Sequence, residues 1–426
     1  MKFHFFGGVH PPGRKELSAG STIVAVKPPQ VAIPLRQHIG APCQPLVAIG
    51  ERVLLGQKIG DGEGLCVPVH ASVSGVVRAI EPRPAVSGGT VECIVIENDG
   101  KNEAVSHAPE KSREADDLLR TIREAGIVGM GGAAFPGSVK AMSSMGKAEV
   151  LIANGCECEP YITADDALLT TQPRQVLRGM QLLGCVLQPQ RMVLAVEDNK
   201  NTAIDGLRRC MTDFPDVELL VLPTRYPQGS EKQLIRAVTG REAAAGQLPV
   251  SVGCAVFNVS SCAAVCRAVE EGRPLTERIV TVSGEAVERP GNYRVPLGTS
   301  FRDLLQTAGG LRINARFVIS GGPMMGTAVT DLTCCVVKAT NCVLCLPHQA
   351  LMEGERCIRC GRCITVCPMH LQPLYLYRYA YDRAELERFH LTDCIACGCC
   401  SYTCPAKLPL TEQFRASRVW LKEGAT

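Results

Sequence analysis

The sequence predicts a multidomain α/β plus β chain, and three observations carry that class. Residues 20–100 hold short β-branched runs broken by Gly and Pro; from about residue 110 strand and helix patterns alternate; and one cysteine string occurs twice near the carboxyl end. The first stretch, with STIVAV, RVLLGQKIG, ASVSGVVRAI and VECIVIEN, has the even spacing of a compact β-barrel or sandwich. In the second, SREADDLLRTIREAG reads as a helix opened by Ser112 and ended by Gly126. AEVLIAN (148–154), RMVLAVE (191–197) and VELLVLP (217–223) read as strands, with helices PRQVLRGMQLLG (173–184) and NTAIDGLRRCM (201–211) between them. Such alternation builds a parallel sheet faced by helices, with its ligand site at the strands' carboxyl ends. Residues 278–330 return to strands with one helix at 300–308, read as a small β-grasp-like domain. LQPLYLYRYAYDRAELERF, between the two cysteine strings, reads as one helix.

Composition narrows the function classes. The 426 residues are 46% apolar and 20% charged, as in an ordinary soluble globular chain. A net charge of +3 without any Lys/Arg run gives no case for a polyanion partner, and 4% aromatic residues with one Trp argue against nucleic acid. The start, MKFHFFGGVHPPG, is too short and too broken to be a signal peptide, and no run of eighteen apolar residues follows. Membrane attachment is therefore expected only through partners. With no secretion signal, the 23 cysteines point to a reducing cytoplasm rather than to disulfides.

The strings are Cys357-x2-Cys360-x2-Cys363-x3-Cys367-Pro368 and Cys394-x2-Cys397-x2-Cys400-x3-Cys404-Pro405. This is the spacing of a protein that holds two [4Fe–4S] clusters, in which the fourth Cys of each string crosses to the other cluster. The expected sets are Cys357, Cys360 and Cys363 with Cys404, and Cys394, Cys397 and Cys400 with Cys367. Zinc knuckles compete for the same residues, but zinc sites rarely use this triple register twice.

Three weaker motifs lie upstream. Gly126-Ile-Val-Gly129-Met-Gly131-Gly132-Ala-Ala-Phe135-Pro136-Gly137-Ser-Val-Lys140 is a glycine-rich loop whose amides can approach a phosphate or flavin edge, with Lys140 as a point charge. Asn154-Gly-Cys156-Glu157-Cys158-Glu159-Pro160 follows a strand, where carboxylates can accept hydrogen bonds from ribose or carboxamide groups. Tyr226-Pro-Gln-Gly229-Ser230-Glu231-Lys232 and Phe257-Asn258-Val259 complete the set. Each alone also fits an ordinary loop.

In this order the strings resemble the flavoprotein that oxidises NADH in respiratory complex I. The likeness is closer to the C subunit of the Rnf electron-transport complex: GGVHPP at Gly7–Pro12, QHIGAPC at Gln37–Cys43, SVSGVV at Ser72–Val77, the glycine-rich loop at Gly126–Pro136, EDNK at Glu197–Lys200, YPQGSEKQLI at Tyr226–Ile235 and GGPMMG at Gly321–Gly326. The resemblance spans essentially the whole chain. It implies a barrel-sandwich domain over 1–105, an FMN/NADH-binding α/β domain over 106–272, a β-grasp, SLBB-like domain over 273–345 and a ferredoxin-like unit with two clusters over 346–426. The first of these is also similar to lipoyl-type domains, but His70-Ala71-Ser72-Val73-Ser74-Gly75 stands where the carrier Lys would be, so a scaffold is expected there. The resemblance further implies that Gly129, Gly131, Gly132, Lys140, Asn154 and Asn258 hold FMN. Phe135, Glu157, Glu159, Gly229 and Glu231 would face flavin and NADH, the three acids as positioning residues with no acid or base role.

The implied function is an NADH:acceptor oxidoreductase subunit, peripheral on the cytoplasmic face of the membrane. It would pass electrons from NADH through FMN and the two clusters to the membrane Rnf subunits. Two departures stand against the family pattern: Cys156 is extra, and Cys334, Cys335, Cys342 and Cys345 enter the segment before the ferredoxin-like unit. Cys342-x-x-Cys345 reads as a redox dithiol, an added metal ligand set or inert buried thiols. These departures leave open a soluble relative serving a cytoplasmic reductase such as proline reductase, and, as other classes, an electron-transfer adaptor without NADH chemistry or a docking scaffold.

Overall fold

The computed structural model describes residues 4–312, 315–347, 354 and 356–423. The start expected for the ferredoxin-like unit therefore runs into 348–353, which lie outside the described residues. In the first hundred residues two small antiparallel sheets pack together. One orders Gln30–Pro34, Thr90–Asn98, Gly75–Pro84 and Arg52–Val53, and the other Gln44–Pro45, Lys58–Asp61 and Val69–His70. Val31 and Ile33 face Ile94 and Ile96 at the two-residue period of a half-buried strand, and Ile59 and Val69 close the same core. The segment without a carrier Lys is packed, not swinging: Ser72 donates to the carbonyl of Leu297 in the β-grasp unit and Ser74 to Asp99.

The central unit is a four-stranded parallel sheet ordered Val217–Leu222, Arg191–Glu197, Val150–Gly155, Cys254–Asn258. Sequence patterning reaches the first three of these; the fourth adds on the far side of the Val150–Gly155 strand. Strand order therefore reverses between Val150–Gly155 and Cys254–Asn258, which opens a crevice at their carboxyl ends. Helices Pro173–Leu187 and Val259–Glu271 cover one face, and Glu231–Thr239 lies over the other. The helix read from Ser112 begins at Ala115, with Ser112 accepting the Glu114 amide just outside it.

The β-grasp unit is a six-stranded mixed sheet ordered Val24–Ala25, Gly291–Pro296, Glu277–Ser283, Cys342–Pro347, Ala315–Ser320, Thr327–Ala328. Its helix, Phe301–Thr307, is capped by Ser300, whose hydroxyl accepts the Asp303 amide. The segment that carries Cys342 and Cys345 is a central strand of this sheet. Residues three apart in a strand face opposite sides, and accordingly Cys342 packs with Ile162 and Leu344 while Cys345 belongs to the main core. The redox-dithiol reading is thereby corrected: the strand holds the two thiols on opposite faces.

In the carboxyl-terminal unit the single helix expected between the cysteine strings is two, Pro373–Arg378 and Arg383–Arg388. The break falls where Ser417, on helix Leu410–Glu423, donates to the carbonyl of Ala380 at 2.6 Å, and Asp382 caps the second helix. The GGVHPP segment ties this unit to the central one, since the Gly8 amide donates to Val366 at 2.8 Å and Val9 exchanges backbone bonds with Tyr226.

Candidate functional site

The crevice is framed by two asparagines. Asn154 and Asn258 end neighbouring parallel strands in register. Asn154 Nδ2 donates to the carbonyl of Gly229 at 2.9 Å while its Oδ1 accepts the Cys156 amide at 3.0 Å. Gly229 must be glycine there, because a Cβ would fall 2.1 Å from the Cys156 oxygen. Asn258 caps helix Val259–Glu271 by accepting the Ser260 amide at 2.9 Å, and its Nδ2 donates to Asp165 at 2.7 Å.

The glycine-rich loop lies against this mouth. Ser261 Oγ accepts the Met130 amide and donates to the Val128 carbonyl, both at 2.9 Å, and Gly129 and Phe135 are bridged by a backbone bond of 2.8 Å. These bonds pin both flanks and leave the tip, Gly131–Gly132–Ala133, exposed. Gly131 adjoins Asn258, where an added Cβ would make ordinary contact with that side chain at 3.4 Å. Lys140, from helix Gly137–Ser144, bonds Glu231 at 2.6 Å and stands 5.6 Å above the Phe257 ring. An exposed glycine tip beside a lysine is a fitting cradle for a phosphate-bearing cofactor.

Glu157 and Glu159 differ from that group. The Glu157 carboxylate turns inward and accepts the Asp165 amide at 2.8 Å and the Asp166 amide at 3.4 Å, at the positive end of helix Ala164–Thr171. Glu159 faces the GGPMMG loop, where its Oε2 accepts the Met324 amide at 3.2 Å and its Oε1 is buried without a partner among the described residues. Burial pushes the Glu159 carboxyl up to about 7, against the pull of the Met324 and Met325 amides. The site thus gathers Gly129, Gly131, Gly132, Phe135, Lys140, Asn154, Gly229, Glu231 and Asn258 around one mouth, with Glu157 and Glu159 bound behind it.

Sequence reasoning missed the charges that support this loop. Lys15 donates to the carbonyls of Glu157 and Glu159 at 2.8 and 2.9 Å, and burial, then Lys200, lowers its pKa. Lys200, fully buried, lies 3.9 Å from Glu157, and its Nζ has no hydrogen-bond partner among the described residues. Asp165, pushed up to about 6 by burial and then by Glu157, accepts from Ser260 at 2.7 Å. Lys200 stood inside the EDNK motif, which was the available signal.

The eight cysteines converge into two apolar cavities. Cys357, Cys360, Cys363 and Cys404 line one, and Cys367, Cys394, Cys397 and Cys400 line the other. Four thiols around an apolar cavity suit a [4Fe–4S] cube, and the Leu371 and Ala396 amides already donate to the sulfurs of Cys367 and Cys394 at 3.4 and 3.3 Å. The Cys367 set adjoins the central unit: the Tyr226 hydroxyl donates to the Cys397 carbonyl at 2.7 Å, and Tyr226 packs with Val9, Cys158 and Cys399. In the other set Cys357 and Cys360 are exposed.

Four protein families match along the chain: the RnfC barrel sandwich hybrid domain (3–101), the Nuo51 FMN-binding domain (122–267), the SLBB domain (279–328) and the 4Fe-4S dicluster domain (350–405). The C subunit of the Na(+)-translocating ferredoxin:NAD(+) oxidoreductase complex of Acetobacterium woodii is 42% identical over 88% of this chain and 87% of its own length. The C subunit of the proton-translocating ferredoxin:NAD(+) oxidoreductase complex of Clostridium ljungdahlii is 43% identical over 96% of this chain and 92% of its own. The C subunit of the ion-translocating oxidoreductase complex of Pectobacterium atrosepticum is 39% identical over 98% of this chain, which spans 62% of that relative. The expected architecture is therefore present: barrel sandwich, FMN-binding unit, SLBB unit and dicluster unit. No helix among the described residues is long and apolar enough to cross a membrane.

Proposed function

The chain belongs to the family of C subunits of Rnf-type, ion-translocating oxidoreductase complexes, and on that premise we propose that it exchanges electrons between NAD(H) and the other subunits of such a complex. When bound, FMN couples the two-electron exchange of a nicotinamide to the one-electron exchange of [4Fe–4S] clusters. Gly129, Gly131, Gly132 and Lys140 would hold its phosphate end, and Asn154 and Asn258 keep the mouth open by anchoring the loops on either side. Glu231 and Phe135 would meet NADH. Glu157 and Glu159 act as positioning residues, the first on helix Ala164–Thr171 and the second on the Gly322–Met324 turn. No side chain needs to take up a substrate proton.

The observation that carries this reading is the junction at Tyr226. It joins the crevice loop that contains Gly229 to the backbone of Cys397, so the flavin mouth and the inner cysteine set share one wall. The exposed Cys357 set is then the one offered to a partner subunit, and attachment to the cytoplasmic face of a membrane would run through those subunits. The soluble-reductase alternative drew on Cys334, Cys335, Cys342 and Cys345; all are buried, and they offer a partner no surface.

The test is a titration of the anaerobically prepared full chain with NADH. Loss of the flavin absorbance is the expected result. An unchanged spectrum at full flavin and iron content would leave an electron-transfer adaptor without NADH chemistry.

A further inference from the structure

A third group of ligand-type side chains lies apart from both the crevice and the dicluster unit. His38, Cys43 and Cys66 are 6%, 2% and 2% exposed. Their ligand atoms all lie within 4.8 Å of one another, a span that, among the described residues, neither four-thiol set reaches. We propose that His38, Cys43 and Cys66 form a mononuclear zinc site that braces the underside of the glycine-rich loop.

Distances carry the case first. A tetrahedral zinc ion, with Zn–S about 2.3 Å and Zn–N about 2.0–2.1 Å, sets its ligand atoms roughly 3.5–3.8 Å apart. Cys43 Sγ and Cys66 Sγ are 3.5 Å apart, and Cys66 Sγ is 3.7 Å from His38 Nε2. Two sulfurs and one imidazole are a donor set that selects zinc over the hard cations. The carbonyl oxygen of Val67 stands 3.3 Å from Cys43 Sγ and 3.9 Å from Cys66 Sγ, which offers a fourth corner that a water could also fill.

The surroundings are those of a ligand set. His38 Nδ1 donates to the Ile39 carbonyl at 3.2 Å, which fixes the tautomer that leaves the Nε2 lone pair available. That lone pair accepts the Val67 amide at 3.2 Å, a bond the ion would replace. Two thiolates balance a divalent ion. The Lys338 ammonium, held by the Pro68 and Gly126 carbonyls at 2.8 and 2.7 Å, further favours the Cys43 thiolate.

The consequence reaches the flavin mouth through the residue that follows each of two ligands. Ile39, after His38, donates its amide to the Ala134 carbonyl at 3.2 Å; Val67, after Cys66, packs with Val128 and Ala134. Fixing His38 and Cys66 therefore fixes the floor under Gly129–Phe135. The site is independent of the NADH and cluster chemistry and stands if that reading fails.

The full chain, prepared anaerobically from zinc-replete cells, is expected to carry about one zinc beyond its cluster iron. His38→Ala and Cys66→Ser should each lose that zinc at unchanged iron content. With cobalt added in place of zinc, the wild type should show a thiolate charge-transfer band that survives Cys360→Ser and is absent in Cys66→Ser. A wild type that neither carries zinc nor develops the band overturns the proposal without reliance on any variant. So does equal zinc in wild type and both variants, or a Cys43–Cys66 disulfide in the intact mass.

Discussion

Asn154 and Asn258 face each other as register partners at the mouth of the crevice, and each spends its side-chain amide on the protein: Asn154 on Gly229, Asn258 on Asp165. The two residues that a motif reading assigns to FMN thus act first by fixing the loops on either side of it. In a parallel sheet the strand ends are where loops diverge, so two adjacent anchors there define how wide the crevice stands.

Asn154→Ala removes both the bond to Gly229 and the one to the Cys156 amide, leaving two half-buried backbone groups without their partner. A cost of about 1–3 kcal/mol is expected for such groups. Because the freed loop carries Gly229 and Glu231, FMN retention through gel filtration should fall while iron content holds. Full FMN retention with a normal melting temperature would remove Asn154 from the cradle.

What could be seen in the residues divides along physical lines. The cysteine strings were legible because cluster ligation imposes spacing on the chain itself, and the parallel sheet because its buried strands are short apolar runs between helical periods. The central strand Cys342–Pro347 was not, because it pairs in parallel with Glu277–Ser283 some sixty residues away, and no local period announces such a partner. Glu157 and Glu159 read alike in NGCECEP. They part company because a helix amino terminus lies behind one and a glycine turn, with Gly322 packed against the carboxylate, behind the other. The continuous helical pattern of 371–389 hid its break because Ser417, from a later helix, supplies the partner for the Ala380 carbonyl.

Lys140 and Glu231 form an ion pair with side chains 27% and 41% exposed. Pairs this open contribute about 0–1 kcal/mol to stability. Glu231→Ala should therefore leave melting, iron and FMN near wild type while weakening NADH binding. Steady-state kinetics check this: an unchanged KM for NADH would take Glu231 out of the site.

Glu159 gives a pH dependence with a definite sign. Its carboxyl is held near 7 in the folded chain against an ordinary value of 4.5, because burial penalises the charged form. The folded state then binds the extra proton. Stability from this group is full below the ordinary carboxylate range and declines as pH rises from there through about 7. The whole effect is on the order of 3 kcal/mol. Glu159→Gln keeps an acceptor for the Met324 amide and cannot ionise, so its melting temperature should fall less between pH 5 and pH 8 than that of the wild type. Parallel curves for the two proteins would show that Glu159 titrates elsewhere.

The two cysteine sets differ in position, and that difference predicts different lesions. Cys367, Cys394, Cys397 and Cys400 lie against Tyr226 and the crevice, whereas Cys357 and Cys360 are exposed. Cys360→Ser should lose only the outer cluster, so iron should drop by roughly half, as expected for one of two four-iron clusters. Reduction of bound flavin by NADH should persist, because the crevice and the inner set are untouched. Delivery to a one-electron acceptor that needs the exposed face should fall by an order of magnitude or more. Cys397→Ser should also disturb the wall that Tyr226 shares with it and lower flavin reduction as well as delivery. Stopped-flow absorbance with iron analysis separates the cases: equal effects of both variants on flavin reduction would mean that the Cys367 set is no nearer the crevice chemistry than the Cys357 set.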